Sequence, residues 1–232
     1  MRRIIHQSPS PNADERRLPI FMLVLHYTGM PSGAKALARL CDPAAKVSAH
    51  YLIDEDGSIH TLVEEDRRAW HAGVGFWRGV TDINSASIGI ELVNPGHQWG
   101  YRPFPAEQIE ALLELLQDIT QRHTIAPENI IAHSDLAPAR KQDPGELFPW
   151  EYLAEHGVGL WPEDSTLLSD PDVLISLLHA IGYDPAADPN TVVTAFCRHF
   201  APEQLKKKDS AYLAGRATAL LNDIVKRQSY VG

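Results

Sequence analysis

Three short apolar runs constrain this chain more than any other feature: Phe21 to His26 (FMLVLH), Ser87 to Val93 (SIGIELV) and Ile130 to His133 (IIAH). Each is too short for a core helix and suits a buried strand. Each also carries an ionisable side chain, within the run or at its C-terminal end. A buried strand does not hold a charge without giving it a partner or a task. The runs therefore mark Glu91, inside a strand, and His26 and His133, at strand ends that open into loops, as the positions where a site could lie. In the middle run, Ile88, Ile90 and Leu92 share one face, while Gly89, Glu91 and Val93 share the other.

The remaining pattern frames these strands. Residues 1–18 are polar and charged and read as a loose N-terminal arm. Residues 32–40 have helical character. His50 to Ile53, an acidic-glycine turn at 54–57, and 58–63 read as a β-hairpin. Pro105 opens a helix to about His123, with Ile109, Leu112, Leu113, Leu116 and Ile119 as its apolar stripe. Strands alternating with a helix indicate an α/β fold, a mixed central sheet flanked by helices, over residues 1–163. Beyond Trp161 and Pro162 the strand pattern stops. Three helices at about 167–181, 190–200 and 211–227 predict a small C-terminal three-helix domain over 164–232.

Charge and composition exclude several classes. The formal net charge is −9, which argues against nucleic acid and anionic lipid as partners. The basic run Lys206 to Lys208 reads as a solvated face. No apolar stretch is long enough for membrane insertion. Arg2 and Arg3 are followed by no apolar segment of the kind a secretory signal needs, so the sequence reads as cytoplasmic, with a periplasmic setting as the alternative. Cys41 and Cys197 match no metal or redox spacing and read as free thiols.

Eleven histidines are present, and His6, His123, His156, His179 and His199 sit in ordinary polar or helical contexts. His26 and His133 differ, because each ends an apolar strand where α/β sheets open into loops. Two histidines and a carboxylate with one open position form a known catalytic zinc arrangement. Asp135 and Asp143 are both within reach of His133, and spacing does not choose between them. Glu91, a carboxylate inside a buried strand, suits a general base beside such a centre. Lys141 stands two residues before Asp143, on the same side of an extended loop.

The ordered elements LHYT (His26), AHYLI, AWHAG (Trp70, His71), NSASIGIEL (Glu91), IIAHSDLAPARKQDPG (His133, Lys141, Asp143) and LFPW resemble the type-2 N-acetylmuramoyl-L-alanine amidase family across about residues 20–162. The resemblance implies a zinc (Zn2+) centre held by His26, His133 and Asp143. It also implies catalytic roles for Glu91 and Lys141, and substrate contacts from His71 and Arg140. The implied activity is hydrolysis of the bond between (anhydro-)N-acetylmuramic acid and L-alanine in peptidoglycan fragments (muropeptides), in cell-wall recycling. Action on intact wall and non-catalytic muropeptide binding are the alternatives. Through Gly182-Tyr183 and the segment around Phe196, the C-terminal part resembles a three-helix peptidoglycan-binding domain, with Cys197 where that family often has Gln.

Overall fold

A computed structural model describes residues 5–162 and 170–229. The expected boundary at 163–164 and the first residues of the helix expected from 167 lie outside the described residues. In chain order the strands are β1 (Ile5–Gln7), β2 (Ala13–Glu15), β3 (Met22–Tyr27), β4 (Tyr51–Ile53), β5 (Ile59–Thr61), β6 (Arg67–Ala69), β7 (Ser87–Leu92) and β8 (Ile130–Ala132). The helices are α1 (Gly33–Cys41), α2 (Ile83–Ala86), α3 (Gly96–Trp99), α4 (Ala106–Arg122), α5 (His133–Leu136), α6 (Trp150–Glu155), α7 (Leu174–Ile181), α8 (Pro189–Phe200) and α9 (Ser210–Ser229).

Six strands form one sheet in the order β1-β5-β4-β7-β3-β8. The three apolar runs are its neighbours β7, β3 and β8, all parallel, and the expected hairpin is the antiparallel pair β4–β5. Leu23, Leu25, Ile88, Ile90 and Leu92 turn to one face and pack on the expected stripe of α4, from Ile109 to Ile119. Each such side chain contributes about 1.5–3 kcal/mol on burial, so this layer fixes which face is left for chemistry.

On the opposite face, Met22, Val24 and Ile131 join Trp77 and residues of the C-terminal helices, including Leu178, Phe196, Leu213 and Leu220, in a single cluster. The three helices thus share a core with the sheet. A buried polar knot reinforces the junction. Asp135, wholly buried, accepts from Tyr183 Oη at 2.7 Å, from His199 Nδ1 at 2.6 Å and from the Ala132 amide at 2.8 Å. Three donors satisfy a carboxylate that would otherwise be costly to bury.

The expected loose arm is corrected by the structure. Within it, β1 lies along β5, β2 pairs with β6, and Asn12 is buried, donating to the carbonyls of Asp42 and Val47. Arg16 reaches His50 Nε2 at 2.7 Å and the carbonyls of Glu65 and Ser85. Strand pairing, of β1 at the edge of the main sheet and of β2 in a separate two-stranded sheet, holds these residues together with the side-chain bonds of Asn12 and Arg16, rather than apolar content. Both cysteines are free thiols. Among the described residues no helix is long and apolar enough to cross a membrane.

Candidate metal centre and catalytic cavity

Strand register assembles the site. In the β3–β7 ladder His26 is the direct partner of Glu91, and in the β3–β8 ladder the last pair is Leu25 with Ala132. The next residue, His133, therefore stands beside His26 as the chain leaves β8 for α5. Three adjacent parallel strands each deliver one polar residue at the same level, at their C-terminal ends. The loop after α5 returns Asp143 to this point, where its carbonyl accepts from the Ser134 amide at 3.0 Å.

His26, His133 and Asp143 are all buried and are the one such group among the described residues arranged to hold a metal ion. His26 Nδ1 and His133 Nδ1 are 2.8 Å apart, and both face Asp143 Oδ2, at 3.1 and 2.9 Å. Burial, aided by repulsion from His133, pushes the His26 ring down to about 4. Against its burial, His133 and His26 hold the Asp143 carboxyl below the usual carboxylate range.

The protons can be placed by following acceptors. Ser87 Oγ donates to the Ile83 carbonyl at 2.6 Å, so towards His71 Nε2, 3.2 Å away, it can only accept. His71 then carries its proton on Nε2 and presents a lone pair at Nδ1. That lone pair accepts from His26 Nε2 at 3.1 Å, which leaves His26 Nδ1 as a lone pair. On the other side His133 Nε2 donates to the Ala72 carbonyl at 3.0 Å, so the neutral ring presents its lone pair at Nδ1. With both rings neutral, two lone pairs and a carboxylate oxygen converge, an arrangement that binding a cation relieves. Tetrahedral zinc with bonds of about 2.0–2.2 Å spaces its donors about 3.3–3.6 Å apart, so the three donors, 2.8–3.1 Å apart, need to part only slightly to take it. The donor set fits zinc. Asp135, the alternative ligand, has both oxygens engaged in the knot with Tyr183 and His199.

Glu91 lies beside this group. Its Oε2 is sealed from solvent and has no hydrogen-bond partner. Burial, with the negative charge of Asp143 adding and Lys141 opposing, raises its pKa well above the ordinary carboxylate value. Glu91 and Lys141 line one cavity of about 370 Å³ together with His71, His133, Arg140 and Asp143.

His71 and Arg140, expected as substrate contacts, line that cavity but are also tied to the protein. Both His71 ring nitrogens are engaged, by His26 and by Ser87. The ring is seated on Gly89, where a Cβ would come within 2.3 Å of it, which explains a glycine in the middle of β7. Arg140 donates to the Ala72 carbonyl at 2.6 Å and to that of Val74, so it braces the loop whose Ala72 carbonyl orients His133. Sequence reading missed Ser87 and Asn84, whose side-chain oxygen accepts from the amides of His71 and Ala72. Their only local cue was the motif NSASIGIEL. It also passed over His50, whose Nδ1 accepts from the Gly89 amide at 2.9 Å.

The family model for N-acetylmuramoyl-L-alanine amidase matches residues 16–146. The N-acetylmuramoyl-L-alanine amidase AmiD of Escherichia coli is 40% identical, over 87% of this chain and 82% of its own. The structure of that enzyme with the substrate anhydro-N-acetylmuramic acid-L-Ala-D-gamma-Glu-L-Lys is similar at a TM-score of 0.79 and 38% identity, covering 92% of this chain and 90% of that one. AmpDh3 of Pseudomonas aeruginosa in complex with anhydromuramic pentapeptide gives a TM-score of 0.78 at 33% identity, over 88% and 92% of the two chains. The 1,6-anhydro-N-acetylmuramyl-L-alanine amidase AmpD of Haemophilus influenzae is 36% identical, matching 64% of this chain and 90% of its own. On sequence, fold and coverage together, this chain belongs to the N-acetylmuramoyl-L-alanine amidase family.

Proposed function

We propose that the chain hydrolyses the amide between N-acetylmuramic acid, including its 1,6-anhydro form, and L-alanine in soluble peptidoglycan fragments, as part of cell-wall recycling. Family membership supports the reaction, and the anhydromuramyl peptides in the structures of AmiD and AmpDh3 support the substrate class. The observation that carries the chemistry is the register that sets unpartnered Glu91 beside the converging lone pairs of His26, His133 and Asp143.

In this reading His26 Nδ1, His133 Nδ1 and Asp143 Oδ2 would hold zinc, which would supply Lewis-acid polarisation of the carbonyl and of the attacking water. Glu91 takes the proton of that water as it attacks the lactyl carbonyl. A raised pKa then lets the same carboxyl return the proton to the departing alanine nitrogen. A positioned acid/base of this kind contributes on the order of 10²–10⁴ in rate. Lys141, a cation lining the same cavity, stabilises negative charge growing on the carbonyl oxygen. His71 and Ser87 keep the His26 proton on Nε2, and Arg140 steadies the Ala72 carbonyl behind His133.

Purified anhydro-N-acetylmuramyl tripeptide incubated with the chain should release free tripeptide. Intact sacculi should be cut far more slowly. Equal or faster release from sacculi would favour a wall hydrolase, and binding without cleavage would favour a recognition module.

A further inference from the structure

A second cavity, about 380 Å³, adjoins the first and shares Arg140, Lys141 and Gln142 with it. One wall is the loop 138–142. The other is α8, whose Asn190, Thr194 and Arg198 follow one another at i, i+4 and i+8 on a single helix face. No Asp or Glu lines this groove among the described residues, although the chain carries 30 acidic against 21 basic residues.

Its cations are not equivalent. Arg140 is committed to the carbonyls of Ala72 and Val74. Arg198 has one long contact, from Nη2 to Gln142 Oε1 at 3.5 Å, and its Nε is sealed from solvent without a partner. No described carboxylate lies within ion-pair distance of it. Lys208, part of the run read from sequence as a solvated face, instead donates to Thr194 Oγ1 at 2.6 Å and so joins the same helix face. The sealed Nε is out of a ligand's reach, but the two Nη groups, held only by that long contact, can grip an incoming carboxylate end-on with two parallel hydrogen bonds.

The proposed reaction, on which this inference rests, presents such a group. Once the lactyl carboxyl of the sugar is amidated, the peptide side carries the acid groups. A glutamate joined through its γ-carboxyl keeps its α-carboxylate free, as in the peptide bound to AmiD. Gln142 is the chain neighbour of Asp143, so the Gln142–Arg198 contact places the guanidinium close to the metal site. We propose that the groove between loop 138–142 and α8 is the stem-peptide subsite, in which Arg198 reads the free α-carboxylate of the γ-linked glutamate. The C-terminal helices then determine specificity by contributing α8 to the active site.

The test uses the zinc-loaded full chain, as wild type, Arg198→Gln and Arg198→Lys. Two substrates are compared: anhydro-N-acetylmuramyl-L-Ala-γ-D-Glu-L-Lys, and the same molecule with the glutamate α-carboxyl converted to an amide. In wild type the amidated substrate should have a KM about 10- to 100-fold higher. Arg198→Gln should raise KM for the acid substrate by a similar factor with kcat within about threefold, leave the amidated one unchanged, and be partly rescued by Arg198→Lys. If Arg198→Gln shifts both substrates equally, or neither, the assignment is overturned. If wild type cleaves neither substrate, the amidase reading fails, and titration with the free tripeptide decides the subsite. Wild-type binding weakened about tenfold or more in Arg198→Gln supports it, and no binding, or equal binding, overturns it.

Discussion

Removing the Ser87 hydroxyl should weaken metal binding from two residues away from the ligand. In the native arrangement Ser87 Oγ accepts from His71 Nε2, which fixes the lone pair at His71 Nδ1 and the proton at His26 Nε2. In Ser87→Ala the His71 N–H loses its acceptor inside a wholly buried site, a loss of about 1–3 kcal/mol if the ring keeps its tautomer. Moving that proton to Nδ1 would escape the loss. It would also set two N–H groups against each other at 3.1 Å and drive the His26 proton onto Nδ1, the atom that faces the metal. Either course disfavours the metal-ready state, and changes to groups that orient a metal-bound histidine typically cost 10- to 100-fold in affinity. The assay is zinc competition against a chelator of known affinity, paired with urea unfolding of the metal-free chain. We expect affinity to fall about tenfold or more, while the fold survives with at most about 3 kcal/mol lost. Unchanged zinc affinity in a folded Ser87→Ala protein would refute the proton assignment along Ser87, His71 and His26, and with it the inference that His26 presents a lone pair at Nδ1.

Other substitutions probe the parts that hold this centre. Gly89→Ala puts a methyl against the His71 ring, so zinc affinity should fall by at least tenfold, read by the same competition. Tyr183→Phe deprives the buried Asp135 carboxylate of one donor and should cost about 1–3 kcal/mol in urea unfolding; a change under about 0.5 kcal/mol would contradict the knot's role. Glu65 gives a pH signature. Burial alone would raise its pKa, but hydrogen bonds from Arg122, Tyr51 and His123 hold it at about 2. Its contribution is therefore complete above the ordinary value of about 4.5 and is lost as pH falls towards 2. Glu65→Gln should lower stability at pH 7 by at most about 3 kcal/mol and flatten the acid side of the pH–stability curve; an unchanged acid slope would count against it.

His26, Glu91 and His133 were legible because each sits in an apolar run too short to be anything but a strand, where an ionisable group needs a reason. Register sets all three at one level, which the runs taken singly do not state. The choice between Asp135 and Asp143 was not legible from spacing. In space, Tyr183 and His199, 48 and 64 residues from Asp135, engage its oxygens, and no local pattern encodes contacts at that separation. The family motif had already pointed to Asp143. The arm was misread for a related reason: β1 and β2 are three residues each and polar, so they carry no periodicity. The substrate role expected of His71 came with the motif AWHAG. Its engagement by both His26 and Ser87 depends on the glycine seat in β7, which the sequence displays but does not explain.

The central claim is that a metal held by His26, His133 and Asp143 works with Glu91 on a muramyl-alanine amide. Its most direct test is Glu91→Gln, with bound zinc and tripeptide release from anhydro-N-acetylmuramyl tripeptide measured on the same sample. The account predicts one zinc per chain, as in wild type, and turnover lower by about 10²-fold or more. Near wild-type turnover in the zinc-loaded variant would contradict it.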